Sequence, residues 1–503
     1  MFVISHQCLY RFILQGIILL VIISVKLISA KAQSPIEWTP QAKIPFYEEF
    51  TEEPPFLVAD QNHTVYAFNS QSLNLEEKMS PKVIVYRQWT LKQGWADPID
   101  IILDGNEKNV DLMDVYFDEA SGIVHLALLI EQNIFHTSAY LVNAGRASAW
   151  TAPTFVGDNA QSPFTAAISG DENGNLAIIY SSVQDGNGIY AAYSSDSGQI
   201  WTDPVPILLT YDPELVAAGT ELITDRFGYM HAGWNVFNQR GIGVSGHYSR
   251  LDVSERRWSE PLEIDEGGLG LGIKFVSLVE YGDDIMITYY GGKDNANWWR
   301  RSSNGGLTWS NPVRVSPRHQ GTNGSLSFVI DSSNTLHAFF GQRIDDNNHG
   351  MWHTEWVGVG WVEAEPIVRG PQVVDIVGGN GFDPRSARAV IVNGNVILIT
   401  WGTDGVAGEN GAWYSFAVLD TAELPAIPLP MPTMTQKTTS STLFRTTPVP
   451  KVSPSPIRPS FIAAQGDDQP FEYFQSPMIP FMTALAPVIV LLLAVVTVRQ
   501  LSQ

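Results

Sequence analysis

The chain has 503 residues and carries 30 Lys and Arg against 52 Asp and Glu, a formal charge of −22. This acidic balance argues against nucleic acid and anionic membrane surfaces as partners. Cys8 is the one cysteine, so the chain cannot form an internal disulfide.

The N-terminus has the features of a secretory signal peptide over residues 1–32. Arg11 precedes the apolar stretch Phe12–Val25, and Ala30-Lys31-Ala32 resembles a cleavage site. We expect cleavage after Ala32. Retention of the segment as an uncleaved anchor is the alternative.

A tryptophan followed within five residues by a proline recurs along the chain at intervals of 51 to 57 residues. The series consists of Trp38, Trp95, Trp150, Trp201, Trp258, Trp309 and Trp361. A period near 50 indicates an array of similar supersecondary units, each of which buries its faces against its neighbours.

The third repeat shows the content of one unit most clearly. Tight turns separate four short apolar runs: Thr165–Ser169, Leu176–Tyr180, Ile189–Ser195 and Ile200–Ile207. Four short strands joined by turns are typical of a propeller blade.

The second strand of this unit recurs seven times. The runs are Val65–Phe68, Ile123–Leu128, Leu176–Tyr180, Tyr229–Trp234, Ile285–Tyr289, Leu336–Phe340 and Val396–Trp401. We therefore predict an all-β fold, a seven-bladed β-propeller with four-stranded blades, over residues 33–420.

The two ends of the array complement one another. The last repeat lacks a Trp-Pro strand, and the first such strand, Glu37–Ile44, has no strands before it. We predict that Glu37–Ile44 completes the blade built from residues 386–420 and closes the ring, which removes exposed sheet edges. The alternative is that Trp38 is a surface residue of a leader segment.

Beyond the propeller the composition changes twice. Residues 421–477 are rich in Pro, Thr and Ser and predict an extended stalk. Met478–Val498 is an apolar run long enough for a transmembrane helix, and Arg499 after it favours a cytoplasmic tail over residues 499–503. The predicted location is the cell membrane, with a single span and the propeller outside the cell.

Two turns resemble the Asp box, a hairpin turn written S-x-D-x-G-x-T-W. They span Ser194–Trp201 and Ser302–Trp309, with Asp196 and Asn304 at the acidic position. Asp or Asn bonds nearby backbone amides in such a turn, while Gly supplies positive φ. The motif is a structural device, so it supports a fold more strongly than a catalytic activity.

With these turns, residues 35–420 resemble the sialidase superfamily of Asp-box (BNR) repeat propellers. Sialidases typically have six blades, whereas this chain predicts seven. The resemblance implies three arginines that hold the substrate carboxylate, a Tyr–Glu pair as nucleophile and an Asp acid/base. Their first arginine usually lies in a Phe-Arg-Ile-Pro motif. The nearest match, Ala42-Lys43-Ile44-Pro45, has lysine there and falls on an outer strand, and lysine lacks the planar fork that grips a carboxylate.

Other arginines map near the rim formed by the turns between second and third strands. The catalytic candidates are Arg240, Arg318, Arg343 and Arg385, and Arg388 begins a first strand. Three of these side chains in one pocket would complete a sialidase site. The alternative is surface arginines paired with local carboxylates, and no Tyr–Glu pair stands out.

The loops of the same rim combine Asp, Asn and Gly with nearby aromatic rings, a mixture that suits sugar recognition. The ligand-binding candidates are Trp234, Trp298, Arg343, Asp345 and Trp401. The alternatives are turn geometry for the polar residues and packing between blades for the rings. No cofactor is expected; a structural calcium ion held by loop carboxylates is the minor alternative.

Two functions remain open at this point. The leading hypothesis is a surface-displayed propeller that binds an extracellular glycan or a protein partner without sialidase chemistry. The alternative is an exo-acting glycoside hydrolase of sialidase type with a diverged active site. A pair of carboxylates across a pocket would also serve a glycosidase. The eligible acids are Asp185, Asp294, Asp345, Asp346 and Asp404.

Overall fold

Seven antiparallel sheets, one for each predicted repeat, make up the described part of the chain. The computed structural model describes residues 35–48, 53–75, 80–106, 108–266, 272–291, 296–316, 324–342, 349–370, 384–403 and 411–431. The first strands of neighbouring sheets contact one another around a central channel. The predicted seven-bladed propeller is therefore confirmed.

The strands are numbered in chain order, and each sheet is one blade. Blade 1 contains β2 (Phe56–Ala59), β3 (Val65–Ser72), β4 (Lys82–Thr90), β5 (Gly94–Trp95) and β6 (Ile99–Ile102). Blade 2 contains β7 (Val110–Asp118), β8 (Ile123–Ile130), β9 (Asn133–Tyr140) and β10 (Thr154–Gly157). Blade 3 contains β11 (Ala166–Gly170), β12 (Leu176–Ser182), β13 (Gly188–Ser194) and β14 (Val205–Leu209).

The remaining blades repeat this order. Blade 4 contains β15 (Leu215–Thr224), β16 (Met230–Asn238), β17 (Gly243–Asp252), β18 (Arg257–Trp258) and β19 (Leu262–Glu266). Blade 5 contains β20 (Lys274–Tyr281), β21 (Asp284–Gly291), β22 (Ala296–Ser302) and β23 (Val313–Arg314). Blade 6 contains β24 (Ser327–Ile330), β25 (Leu336–Gln342), β26 (Gly350–Trp356) and β27 (Glu365–Arg369). Blade 7 contains β28 (Pro384–Val392), β29 (Val396–Thr403), β30 (Trp413–Val418) and β1 (Ala42–Lys43). Two short 3₁₀ helices, Leu141–Asn143 and Ala147–Ala149, precede β10.

The ring closes through its N-terminal strand, as predicted. β1 pairs antiparallel with β30, with Ala42 opposite Tyr414. The amide of Thr39 donates to the carbonyl of Phe416 at 3.0 Å, which extends the pairing toward Trp38. Trp38 packs with the core between blades 6 and 7, so the alternative of a surface leader residue is wrong.

The fourth strands differ from the prediction in their starting points. The third repeat was expected to run as one strand over Ile200–Ile207, whereas β14 begins at Val205, directly after Pro204. Blades 1, 2, 4 and 5 likewise have a strand that starts at the residue after the repeat's proline. Proline has no amide to donate to the ladder, so each repeat resumes pairing only beyond it.

The turns between first and second strands form one rim, which we call the back rim. In blades 1, 2, 3, 4 and 6 an aspartate opens this turn and its carboxylate accepts backbone amides two and three or four residues on. These residues are Asp60, Asp118, Asp171, Asp225 and Asp331. The two predicted Asp-box turns lie on the same rim and bond as expected: Ser194 Oγ accepts from the Gly198 amide at 2.9 Å, and Asn304 Oδ1 accepts from the Thr308 amide at 2.9 Å.

The chain that follows blade 7 runs along the back rim. The amides of Leu424 and Ile427 donate to the carbonyls of Asn393 and Gln61, and Leu429 packs on the core between blades 1 and 2. The first residues of the predicted stalk thus cover the back rim. Within the described ranges no helix has the length and hydrophobicity that a membrane span needs. The predicted signal peptide, the rest of the stalk and the predicted helix Met478–Val498 lie outside them.

Candidate functional site

A cavity of about 720 Å³ opens where the central channel reaches the front rim, the rim that carries the turns between second and third strands. A second cavity of about 530 Å³ continues it along the channel and shares several lining residues. We call the first one the mouth cavity; its lining includes Tyr47, Phe164, Thr220, Glu221 and Arg388. Its volume lies in the range of about 300–1,000 Å³ that is usual for small-molecule sites.

β-Bulges in four first strands shape the mouth cavity. The strands are β7, β15, β20 and β28. Three of the bulges contain a residue in the left-handed region, namely Gly219, Phe275 and Ser386, with φ of 69°, 55° and 52°. A bulge bends the strand and turns the following side chain to a new direction. Asp114, Glu221, Ser277 and Arg388 are the first paired residues after the four bulges.

Each bulged strand donates an amide to a side chain of the preceding blade. The bonds run from Leu112 to Ser70, from Gly219 to Thr165, from Val276 to Asn235 and from Ala389 to Ser327, at 2.6, 3.1, 3.4 and 2.9 Å. Gly219 and Val276 lie within their bulges, so amides released from the ladder are satisfied in this way, as buried backbone groups require. The bulges are therefore tied into the ring and hold their side chains in fixed positions.

Two carboxyl groups and one guanidinium group interact electrostatically along the channel. Burial raises the pKa of Asp114 to about 6. Hydrogen bonds from two backbone amides and the charge of Arg388 oppose this shift, because each of them lowers the pKa. Burial, together with the nearby Asp114, raises the pKa of Glu221 to about 8. No described residue hydrogen-bonds the Glu221 carboxyl group. At neutral pH the pair therefore offers one protonated and one ionised carboxyl group.

Arg388 is held on the wall of the channel by its neighbours in blade 1. Its Nη1 donates to the carbonyl of Pro54 at 2.6 Å, and its guanidinium carbon lies 3.4 Å from the centroid of the Phe56 ring. Burial lowers the pKa of Arg388, and carboxylates that include Glu53 oppose this change. The guanidinium is thus the fixed positive group of an otherwise acidic channel.

The mouth cavity also presents polar atoms that lack partners. Asn69 Oδ1, Thr220 Oγ1 and Asn235 Nδ2 are buried and have no hydrogen-bond partner among the described residues. Buried polar atoms are normally hydrogen-bonded, and each of these three belongs to a residue that lines the mouth cavity. Phe164, of which 39% is exposed, adds an apolar face at the edge of the cavity.

The candidate arginines that the structure describes, Arg240, Arg385 and Arg388, do not converge in one cavity. Arg240 is exposed on the turn between β16 and β17 and does not line the mouth cavity. Arg385 forms an ion pair with Glu53 at 3.3 Å. Arg388 is the one arginine of the described chain that lines the mouth cavity. Arg318 and Arg343 lie outside the described residues. Lys43 lies on the outermost strand of blade 7, over the Trp413 ring, as expected.

The predicted ligand-binding tryptophans take up packing positions. Trp234 and Trp401 are both fully buried, in the cores between blades 3 and 4 and between blades 6 and 7. A ring without an exposed face cannot stack on a ligand, so this arrangement does not favour either residue in that role. Trp298 is partly buried; its Nε1 donates to the Gly291 carbonyl at 3.0 Å, and Arg314 covers its ring. Asp345 lies outside the described residues.

The carboxylates proposed for a glycosidase pair or for calcium are mostly outside the described ranges, namely Asp294, Asp345, Asp346 and Asp404. Asp185 is described, and its amide donates to the hydroxyl of Tyr190 at 2.9 Å within its own turn. In the described part of the chain, metal-ligand spacing occurs instead at His337, His353 and Glu355 in blade 6.

The sequence interpretation missed Asp114, Thr220, Glu221 and Asn235. The available signal was a carboxylate inside an otherwise apolar first strand, as in Val110–Asp118 and Leu215–Thr224. Alternation alone could not show which side chain enters the channel, because each bulge shifts the register of its strand.

Comparisons with known proteins support the fold. The BP39L lectin from Burkholderia pseudomallei aligns with a TM-score of 0.53 at 13% identity, over 76% of this chain and 100% of the lectin. A PL25 ulvan lyase has a TM-score of 0.45 at 13% identity, over 74% and 97%. Trypanosoma rangeli sialidase has a TM-score of 0.39 at 11% identity, over 76% of this chain and 59% of the sialidase. No protein-family model and no curated protein matches the chain. The alignment with the lectin supports the predicted propeller fold, and likeness at this identity extends to the fold alone.

Proposed function

We propose that this protein is a carbohydrate-binding propeller whose mouth cavity holds an uncharged glycan. One observation carries the proposal: three residues with an unpartnered buried polar atom, Asn69, Thr220 and Asn235, line the same cavity as the exposed ring of Phe164. Sugars present alternating hydroxyl groups and apolar faces, and such a lining complements both. The lectin among the similar structures is consistent with this use of the fold.

The charges of the cavity favour an uncharged ligand over a sialic acid. Among the described residues, its lining includes the carboxyl groups of Glu48, Glu53, Asp111 and Glu221 but only two cations, Lys82 and Arg388. Lys82 is already paired with Asp111 at 3.0 Å. A ligand carboxylate would therefore enter an acidic field with one arginine to receive it, whereas a neutral sugar meets no such cost.

A glycan array probed with the full-length protein tests the proposal. We expect binding to neutral glycans and no preference for sialylated ones. Phe164→Ala should weaken binding at least tenfold, which corresponds to about 1.4 kcal/mol, because the apolar face of the cavity is lost.

Phe155→Ala is the matched control, since Phe155 is 52% exposed on the outer strand β10, away from the mouth cavity. It should bind glycans as the wild type does. Equal losses in the two variants, or binding restricted to sialylated glycans, would contradict the proposal.

A second function is favoured by the Asp114–Glu221 pair, whose pKa values of about 6 and about 8 suit a general base and a general acid. The activity would be hydrolysis of the bound glycan. Turnover of an array-positive glycan that disappears in Glu221→Gln, with binding retained, would establish it. Binding without turnover would leave the protein a lectin.

Display outside the cell completes the proposal. It rests on the predicted signal peptide, stalk and membrane helix, together with the path of the chain over the back rim. Because Leu424 and Ile427 run along the back rim, the predicted stalk begins on the rim opposite the mouth cavity. Membrane fractionation followed by protease release of the propeller tests this location, and intact protein in the cytosol would refute it.

A further inference from the structure

Blade 6 brings together three potential metal ligands on adjacent strands. His337 on β25 lies directly opposite Glu355 on β26, and His353 lies diagonally, opposite Phe339. Side chains two residues apart on a strand share one face of the sheet. His353 packs against the rings of Trp38 and Phe339, so this face is turned toward blade 7.

The ligand atoms lie close together in a protected place. His337 Nδ1 is 2.9 Å from His353 Nε2 and 3.6 Å from Glu355 Oε1. His337 is fully buried, His353 is 5% exposed and the Glu355 side chain 12% exposed. Tetrahedral zinc with bonds of about 2.0–2.1 Å places its ligand atoms about 3.3 Å apart. Two of the three separations are thus within about 0.4 Å of the tetrahedral value, and all three ligand atoms lie within 4.8 Å of one another.

Asp331 lies behind His337 in the position of an outer-shell carboxylate. Its Oδ1 is used by the amides of Ser333 and Thr335. Its Oδ2 is 3.5 Å from His337 Nε2, and both of these buried atoms lack a hydrogen-bond partner. Metal-bound histidines usually direct their second ring nitrogen to a carboxylate, which orients the ring. Asp331 would thus hold the Nε2–H tautomer and point the Nδ1 lone pair of His337 into the cluster.

The charge around the cluster favours a cation. Burial lowers the pKa of His337 and of His353, which favours the neutral rings. Burial, with Asp331 and Glu365 nearby, raises the pKa of Glu355. Among the described residues, no lysine or arginine forms an ion pair with Asp331 or Glu355. A bound dication would offset the carboxylates that the fold collects here.

Blade 2 contains the same pair of histidines without the carboxylate. His125 and His136 lie 3.0 Å apart with ring centroids 5.2 Å apart at 25°, against 2.9 Å, 5.1 Å and 25° for the blade 6 pair. Ser138 faces His125 where Glu355 faces His337. Histidine stacking by itself is thus a packing device, and blade 6 adds an acidic ligand to it.

We propose that His337, His353 and Glu355 bind one divalent transition-metal ion. Two imidazoles and one carboxylate suit zinc, with a fourth position left for water. The ion would replace the hydrogen bond between the two rings, with His353 in its Nδ1–H tautomer. It would cross-link β25 and β26 beside the strand that closes the ring, and so stabilise the junction of blades 6 and 7.

Metal analysis of the full-length protein tests the proposal. The protein is loaded with zinc, dialysed and measured by inductively coupled plasma mass spectrometry, and a cobalt-loaded sample is examined by visible absorption. We expect one equivalent of zinc, the intense visible bands of tetrahedral cobalt, and a melting temperature that zinc raises and a chelator lowers. Glu355→Gln and His353→Gln should lose at least tenfold in zinc affinity and lose the cobalt bands.

His136→Gln in blade 2 is the matched control and should keep both signals. If His353→Gln fails to fold, Glu355→Gln decides, because its partly exposed side chain tolerates an amide of the same shape. A wild-type protein that retains no zinc would overturn the proposal. Retention of zinc by a folded Glu355→Gln variant, or its loss in His136→Gln, would overturn it equally.

Discussion

The two rims of the propeller use similar polar residues in different ways. On the back rim, Asp60 and Asp225 each bond two amides of their own turn through Oδ1, while Oδ2 bonds the side chain of Tyr66 or His231. At the front rim, Thr220 lies within a bulge and Glu221 directly follows it; both residues line the channel, and neither Thr220 Oγ1 nor the Glu221 carboxyl group has a described hydrogen-bond partner. The surrounding backbone, not residue type, therefore separates a structural polar group from one available to a ligand.

The largest loss of stability should follow the removal of an aromatic side chain that lies near the front rim but does not line the mouth cavity. Trp401 is fully buried between blades 6 and 7. We expect Trp401→Ala to lower the free energy of unfolding by about 3–5 kcal/mol, because it leaves a large cavity in the core. Denaturant unfolding measures this loss. A variant that keeps its stability but loses glycan binding would show that Trp401 belongs to the ligand site.

The back rim should respond in stability alone. The Asp60 carboxylate accepts the amides of Asn62 and Thr64 and the hydroxyl of Tyr66 at 2.8–2.9 Å. Asp60→Ala should therefore lower the free energy of unfolding by about 1–3 kcal/mol, since buried donors lose their acceptor. Asp60→Asn, which keeps an acceptor oxygen, should lose less. Glycan binding by the folded variants should be unchanged, and a specific loss of binding would remove the distinction between the rims.

Repetition explains why the architecture was accessible from the sequence. Seven copies of the second strand and of the Trp-Pro element reinforce one another, so local errors such as the start of β14 did not alter the number of blades. The closing strand was also accessible, because the missing strand of the last repeat matched the extra strand at the start of the chain.

The site was much less accessible because it depends on features without a repeat. The bulges that turn Asp114 and Glu221 toward the channel leave no clear pattern in the sequence. The sequence pointed instead to rim loops rich in Asp and Asn, although the amide of Asp185 bonds within its own turn. Aromatic residues were equally ambiguous. The alternation of its strand places Trp234 on the same face whether it packs in the core or binds a ligand.

The acidic channel should show itself in the pH dependence of stability. Burial raises the pKa of Glu221 from its ordinary value of 4.5 to about 8. The native state therefore holds this proton more tightly than the unfolded state does. The corresponding stability is fully present below pH 4.5 and is lost as the pH rises through 8.

Glu221→Gln removes this titration while keeping the shape of the side chain. Melting curves of the wild type and the variant should run parallel below pH 4.5 and diverge above it, with the variant gaining stability relative to the wild type up to about pH 9. Parallel curves over the whole range would mean that Glu221 is solvated and not part of a buried channel.

The same substitution at two threonines tests whether the mouth cavity holds the glycan. Thr220 Oγ1 has no described partner at the mouth cavity, whereas Thr137 Oγ1 donates to the Thr151 carbonyl at 2.7 Å inside blade 2. Isothermal titration with an array-positive neutral glycan, beside denaturant unfolding, compares Thr220→Val with Thr137→Val. We predict that Thr220→Val raises Kd about 5- to 30-fold, equal to about 1–2 kcal/mol, without loss of stability. Thr137→Val should lose about 1–3 kcal/mol of stability and keep its affinity. Unchanged affinity in Thr220→Val, or weakened affinity in Thr137→Val alone, would contradict a glycan site at the mouth of the channel.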